Sequence, residues 1–249
     1  MDWTLLFILL GVLVAAFVKG GVGFGFPTIA TPLVAVVTDV RSAVVLLIVP
    51  NLIMDFLQIG RRPGLLRPII RRHWIIYLFT VIGTFVGTKF LATLGTRPLI
   101  LFLGFIILFF VLMSLFKVAP RIPRGWQGPL GPPLGFVSGV IGGLTNLAGH
   151  LLIIYFYSIG LQKEEFVRAL STAFIVIKVA QLFAVWQFNL LEPRVFALSF
   201  FASGVALIGF GGGVLARDRI DQQSFNRAVL VVLALIGVGM VIRGLRSGL

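Results

Sequence analysis

The chain contains no cysteine, only two histidines, and eight acidic residues against 21 basic ones. Without thiols there is no disulfide framework, no thiolate catalysis and no zinc–thiolate site. The histidines, His73 and His150, lie far apart in sequence, and no His/Glu spacing on a helix suits a metal centre. A nucleophile with its base is equally hard to find: Asp55 with His73 is imaginable, but His73 falls in a basic loop. The glycine run "GGVGFG" at 20–25 lacks the spacing of a dinucleotide fingerprint and no strand precedes it, and no Walker lysine pattern occurs. These absences point away from an enzyme, a resident cofactor and a bound metal.

Apolar surface, in contrast, is abundant. The chain is 59% hydrophobic, includes 24 Phe and is only 12% charged, with a mean hydropathy of +1.09, far outside the range of soluble domains. Eight apolar segments can be drawn, roughly 4–37, 40–58, 74–94, 97–116, 130–160, 165–186, 193–216 and 225–242, against the ~20 residues a helix needs to span hydrocarbon. The expected fold is an all-α integral membrane protein, multi-pass in the cell membrane. Met1-Asp2-Trp3 lacks the basic start of a secretory signal, so the first segment is expected to be retained.

A formal charge of +13 could suggest nucleic acid, but the arginines sit in loops between spans. The densest cluster is "RRPGLLRPIIRRH" at 61–73, and Lys117, Arg121 and Arg124 form a second. By the positive-inside rule both belong in the cytoplasm, where anionic headgroups are the expected contact and nucleic acid is not a partner.

The stretch "APRIPRGWQGPLGPP" at 119–133 divides the chain nearly in half. The organisation that follows is a first repeat at 1–118, a linker at 119–129 and a second repeat at 130–249. With a shift of 124 residues, Gly11 falls on Gly135, Gly25 on Gly149, and "GTKFLA" at 87–92 on "GGGVLA" at 211–216. The identity is weak, but the order of segments agrees, a pattern common in transporters. Charge bias swaps between the halves: the arginine-rich loop after segment two has as counterpart "QFNLLEPR" at 187–194, whereas "GTR" at 95–97 faces "RDRIDQQSFNR" at 217–227. That swap predicts inverted repeats of four segments each. Inversion requires an odd number of crossings per half. One segment in each half should then enter and leave on the same side, giving six crossings and an N-terminus outside.

The candidates are the glycine-broken segments that open each half. In "VKGGVGFGFP" at 18–27 glycine permits an unwound backbone, and Pro27 can begin the following arm. "GGLTNLAGH" at 142–150 is the matching place. Each break is either a re-entrant hairpin or a kinked span. Irregular backbone at membrane depth survives only where it lines a cavity or is buried in protein, so N–H groups around Gly21, Gly23, Gly25 and Gly149 become candidates for holding an anion.

Polar side chains inside spans are functional candidates by default. Asn51, Asp55 and Gln58 share one face of segment two, and Ser171, Lys178 and Gln181 one face of segment six. Lys178, deep among apolar neighbours, is either the cation for an anionic substrate or the structural partner of Asp55. Lys19 sits at the first break, as a site cation or a headgroup anchor. His150 could bind substrate, carry a proton or simply be hydrogen-bonded, and Thr145 and Asn146 could supply uncharged donors.

These motifs resemble the sulfite exporter TauE/SafE family, bacterial membrane carriers associated with export of sulfite, sulfoacetate and related sulfur oxyanions. The resemblance rests on "GGVGFGFPTIATPL" at 20–33, "TDVRSAVV" at 38–45, "GFVSGVIGGLTNLAGHLL" at 135–152 and "EEFVRALSTAFIVIKVAQ" at 164–181. It implies a secondary transporter in the bacterial inner membrane that exports small sulfur-containing anions, organosulfonates among them, by alternating access. The expected partners are that anion, the lipid bilayer, a proton as coupling ion and a second copy of the chain. The alternative is a membrane-embedded binding or scaffold subunit of a larger assembly, or a carrier of another small anion.

Overall fold

Helix α1 (Trp3–Val22) stops where Gly23 and Gly25 adopt φ of 97° and 99°. That left-handed region costs an L side chain ~1–2 kcal/mol and is freely open to glycine. Gly25 caps α2 (Phe26–Val37), whose first turn carries Pro27, a residue with the φ a helix start requires. The chain then doubles back, for Gly11 of α1 packs on Leu33 of α2. In this computed structural model, which describes residues 3–60, 66–116, 122–217 and 222–246, a second hairpin has the same form. Helix α7 (Arg124–Thr145) ends at Asn146, whose φ is 68°, and α8 (Gly149–Ser158) returns along it until the Tyr155 hydroxyl donates to the Gln127 carbonyl at 3.1 Å. The second break is therefore made by an asparagine rather than a glycine, consistent with asparagine's tolerance of the left-handed region.

The other described helices are α3 (Val40–Leu46), α4 (Ile48–Gly60), α5 (Leu66–Thr93), α6 (Thr96–Leu115), α9 (Lys163–Gln187), α10 (Pro193–Ala216) and α11 (Gln222–Arg246). Asp39 caps α3 by accepting from the N–H groups of Arg41 and Ser42 at 2.9 and 3.1 Å, the usual way to satisfy a helix start. Helices α3 and α4 meet at Leu47 and act as one span, and α5 kinks at His73. Among the described residues, seven helical segments are long and apolar enough to cross a membrane: α1, α3 with α4, α5, α6, α9, α10 and α11. The eight segments drawn from the sequence reduce to seven because the fifth, 130–160, divides into the Gly- and Pro-rich α7 and the ten-residue α8. Helix α7 also begins earlier than drawn, inside the stretch taken as a linker, and carries Pro129, Pro132 and Pro133.

Lipid offers helices little hydrophobic reason to associate, so close packing of small residues has to hold them together. On α1 and α10 the backbones touch through Gly20, Gly209 and Gly213; on α5 and α7 they touch through Gly83, Gly87, Gly139 and Gly143. A Cβ at any of these would collide with backbone atoms of the facing helix. Gly209 meets Leu13 and Gly213 meets Phe17, while Gly139 meets Thr80 and Gly143 meets Thr84, so the members of each pair run parallel. Helices α6 and α11 run antiparallel, with Arg97 Nε donating to the Gly244 carbonyl at 3.0 Å. Helices α4 and α9 also run antiparallel, with Gln58 against Ser171 near one end and Ile48 clustered with Val185 near the other. Outward faces carry large exposed apolar side chains such as Phe105, Phe109, Phe201 and Ile208.

These directions bring the junctions α4/α5, α6/α7, α8/α9 and α10/α11 to one end of the bundle, with Arg67, Arg71, Arg72, Arg217 and Arg227. The loops 61–65, 117–121 and 218–221, which hold much of the basic sequence, lie outside the described residues. The opposite end carries the start of α1 and the α2/α3, α5/α6 and α9/α10 junctions, with Arg41, Arg97 and Arg194.

Candidate functional site

Helix α1 delivers Lys19 in its last turn, four residues before the break. Its ammonium, fully buried, donates to Asp55 Oδ1 at 2.6 Å and Asn51 Oδ1 at 2.8 Å, both also fully buried on α4. Lys19 is thus part of the interior and not a headgroup anchor. The pair is possible because the first hairpin lays the end of α1 beside the middle of α4, a proximity locked nearby by Gln58 Nε2, which donates to the Gly23 carbonyl at 2.6 Å. Gly23 takes part through that carbonyl and its turn geometry.

A second cluster mirrors the first. Lys178 of α9 donates to Asn146 Oδ1 at 2.5 Å and Gln181 Oε1 at 2.6 Å. Asn146 in turn donates through Nδ2 to the Val44 carbonyl at 3.1 Å, and Gln181 donates to the carbonyls of Gly142 and Gly143, each at 3.2 Å. In one cluster the lysine sits on the broken helix and the amide on the span; in the other these are exchanged. Asp55 belongs to Lys19 rather than to Lys178, yet Lys178 remains within Coulombic reach of it. Two buried lysines face a single buried carboxylate, a formal excess of +1 when all three are ionised.

The two breaks open on a common cavity lined by Val18, Val22, Phe24, Gly25, Pro27, Thr28, Asn146, Gly149, Ile153 and Phe174, among others. Its wall is chiefly apolar, with Asn146 and Thr28 as the polar exceptions. Phe174 lines this space, and its ring centroid lies 5.8 Å from Lys19 Nζ, close enough for a cation–π attraction.

Of the residues singled out in the sequence, Lys19, Asn51 and Asp55 come together, as do Asn146, Lys178 and Gln181. Gly25 and Gly149 line the cavity. Gly21 lies instead in the α1/α10 contact, facing Gly213. Thr145 gives its hydroxyl proton to the Ile141 carbonyl at 2.7 Å and accepts from the Leu147 N–H at 3.2 Å, closing the turn. His150 is the second residue of α8, and its side chain lies outside what the structure describes. Phe174 was missed because an aromatic in an apolar span carries no signal of its own. Gln58 and Ser171 were visible as members of the polar stripes, and they bond to each other at 3.4 Å across the α4/α9 contact.

Neither the curated proteins nor the solved structures contain a match to the chain. A family model does match: Sulfite exporter TauE/SafE, over residues 7–240. Both hairpins and both lysine clusters fall inside that span, and the chain belongs to this family of multi-pass membrane transporters of small sulfur-containing anions.

Proposed function

We propose that the chain is a secondary exporter of small sulfur oxyanions, sulfite, sulfoacetate or a related organosulfonate, which are held between the two lysine clusters and pass out by alternating access. The observation that carries this reading is the burial at the core of two lysines with a single carboxylate between them, a formal excess of positive charge. An unmatched cation buried in a membrane protein is costly and persists only with a partner, and an anion supplies one. The cavity at the two breaks gives that anion a route to Asn146, and through Asn146 to Lys178.

The halves are read as inverted repeats. Helix α1 pairs with α10 as α7 pairs with α5, and under the 124-residue shift each pair is the counterpart of the other, which supports two related units moving against each other. The arginine-rich end is assigned to the cytoplasm on its charge, which places the start of α1 outside. An anion leaving a negative-inside cell gains ~2.3 kcal/mol per charge per 100 mV, so the membrane potential suffices as driving force.

The test is transport by the purified chain in liposomes with labelled sulfite and labelled sulfoacetate under an imposed potential. Potential-dependent flux of at least one is expected. No flux of either, from protein that remains monodisperse, would leave a binding or scaffold role.

A further inference from the structure

The hydrogen-bonding capacity left unused at the core is uneven. Among the described residues, Asn51 Nδ2 and Asp55 Oδ2 are buried without a partner. They lie four residues apart on one face of α4, and Lys19 contacts both residues through their other atoms. An ammonium has three protons; two of those on Lys19 and two of those on Lys178 are engaged, leaving one on each. The two clusters together therefore offer three kinds of unused donor, Asn51 Nδ2 and one proton on each lysine, and one unused acceptor, the second oxygen of Asp55.

We propose, resting on the exporter reading above, that the site selects an oxyanion still carrying one acidic hydroxyl, and that this O–H donates to Asp55 Oδ2. Of sulfite and sulfoacetate, sulfite is the one that keeps an acidic hydroxyl near neutral pH, as hydrogensulfite. Its other oxygens accept from Asn51 Nδ2 and from the free protons of Lys19 and Lys178. A fully deprotonated oxyanion has only acceptors and would set an oxygen against Asp55 Oδ2, a like-charge contact in a buried site. Charge leads to the same choice: a monoanion neutralises the excess of +1, whereas a dianion would leave a net negative charge buried.

Arg168 of α9 is also buried, and its guanidinium pairs with Glu164 one turn away at 3.5 Å. Asp55 faces Lys19 from α1 and Lys178 from α9. The buried residues of α10 and α3, which also pack on α4, include none that titrates. The proton then travels on the substrate itself, and no separate proton-carrying side chain is needed for export to move acid out of the cell.

The decisive comparison uses the full-length chain in liposomes at one fixed pH near neutrality, where sulfite is divided between its mono- and dianion. Uptake of labelled sulfite is competed with unlabelled sulfite and with methanesulfonate, which has the same charge as hydrogensulfite but a methyl group in place of the hydroxyl. Because it leaves Asp55 Oδ2 unpaired, methanesulfonate should compete about tenfold to a hundredfold more weakly. The initial rate at fixed total sulfite should also fall with rising pH in step with the hydrogensulfite fraction. In Asp55→Asn, whose amide can face the ligand with either end, the preference for the hydroxyl should shrink to a few-fold; if that variant does not fold, the wild-type competition still decides. Equal competition by methanesulfonate, or a rate that follows the dianion, overturns the inference while leaving the exporter reading intact. Absence of sulfite flux while sulfoacetate still moves overturns the inference alone; absence of flux of either anion overturns both.

Discussion

Lys19 Nζ and Asp55 Oδ1 lie 2.6 Å apart with both side chains sealed from solvent, an ion pair that joins the end of the first helical hairpin to the following span. Removing one partner of such a pair strands the other, at a cost of ~3–5 kcal/mol. Lys19→Met is therefore expected to lower the thermal stability of the purified protein sharply, and Lys19→Met with Asp55→Asn to restore most of it. Transport should be absent from both. If the double variant were as unstable as the single one, the pair would not be what holds α1 to α4.

At Gly25 the requirement is conformational. Its φ of 99° leaves a side chain there room, since the nearest atom to a Cβ is Val18 Cγ1 at 4.0 Å, but strained. Gly25→Asn should cost less than Gly25→Val, because asparagine visits the left-handed region at low cost whereas other residues lose ~1–2 kcal/mol and β-branched ones more. The ranking Gly, Asn, Val in transport rate and in melting temperature checks this. Equal loss for both variants would mean that bulk in the cavity, not the turn, is what matters.

Helix α10 carries its own control. Gly209 and Gly213 press on the backbone of α1, while at Gly204 and Gly211 an added Cβ would meet nothing within 4 Å. Gly213→Leu should abolish the yield of monodisperse protein in detergent; Gly211→Leu, on the same helix and equally apolar, should leave it unchanged. Comparable yields from the two would remove the small-residue contact from the account of folding.

The breaks, the spans and the polar faces were legible because each depends on local chemistry: glycine and proline at 20–27, long apolar runs, and polar residues at helical spacing. What joins them was not. Lys19 and Asp55 are 36 residues apart, and only the fold-back of α2 decides that Asp55 meets Lys19 rather than Lys178. The pairing of α5 with α7 left a trace in the four-residue glycine spacing at Gly83 and Gly87 and at Gly135, Gly139 and Gly143, a signal of close helix contact that composition alone obscures. The early start of α7 was hidden by its prolines, which argue against a helix interior yet are accommodated in its first turns.

Orientation can be read directly, because a chain without cysteine has no background for thiol labelling. Single cysteines replacing Arg67 or Arg217, at the arginine-rich end, should react with an impermeant maleimide only after the membrane is opened. One replacing Glu192, at the α9/α10 junction, should react in intact cells. External labelling at Arg217 together with protection at Glu192 would turn the proposed arrangement upside down.

Among the described residues, Lys178 has no carboxylate in contact; its partners are the neutral oxygens of Asn146 and Gln181. It is thus the source of the unmatched positive charge, and its removal should act oppositely to that of Lys19. Lys178→Gln leaves Lys19 and Asp55 as a balanced pair, so the fold without substrate should be as stable as the wild type or more so, since a buried charge without a full partner opposes folding. Anion binding should nevertheless collapse, because the excess that attracts the ligand is gone. Lys178→Arg keeps the charge and should retain partial binding, weakened by the different shape of the guanidinium. Melting temperatures with and without sulfite separate these effects: wild type should be stabilised by the anion, Lys178→Arg less so, and Lys178→Gln not at all. A sulfite-dependent shift of wild-type size in Lys178→Gln would remove this lysine from the site.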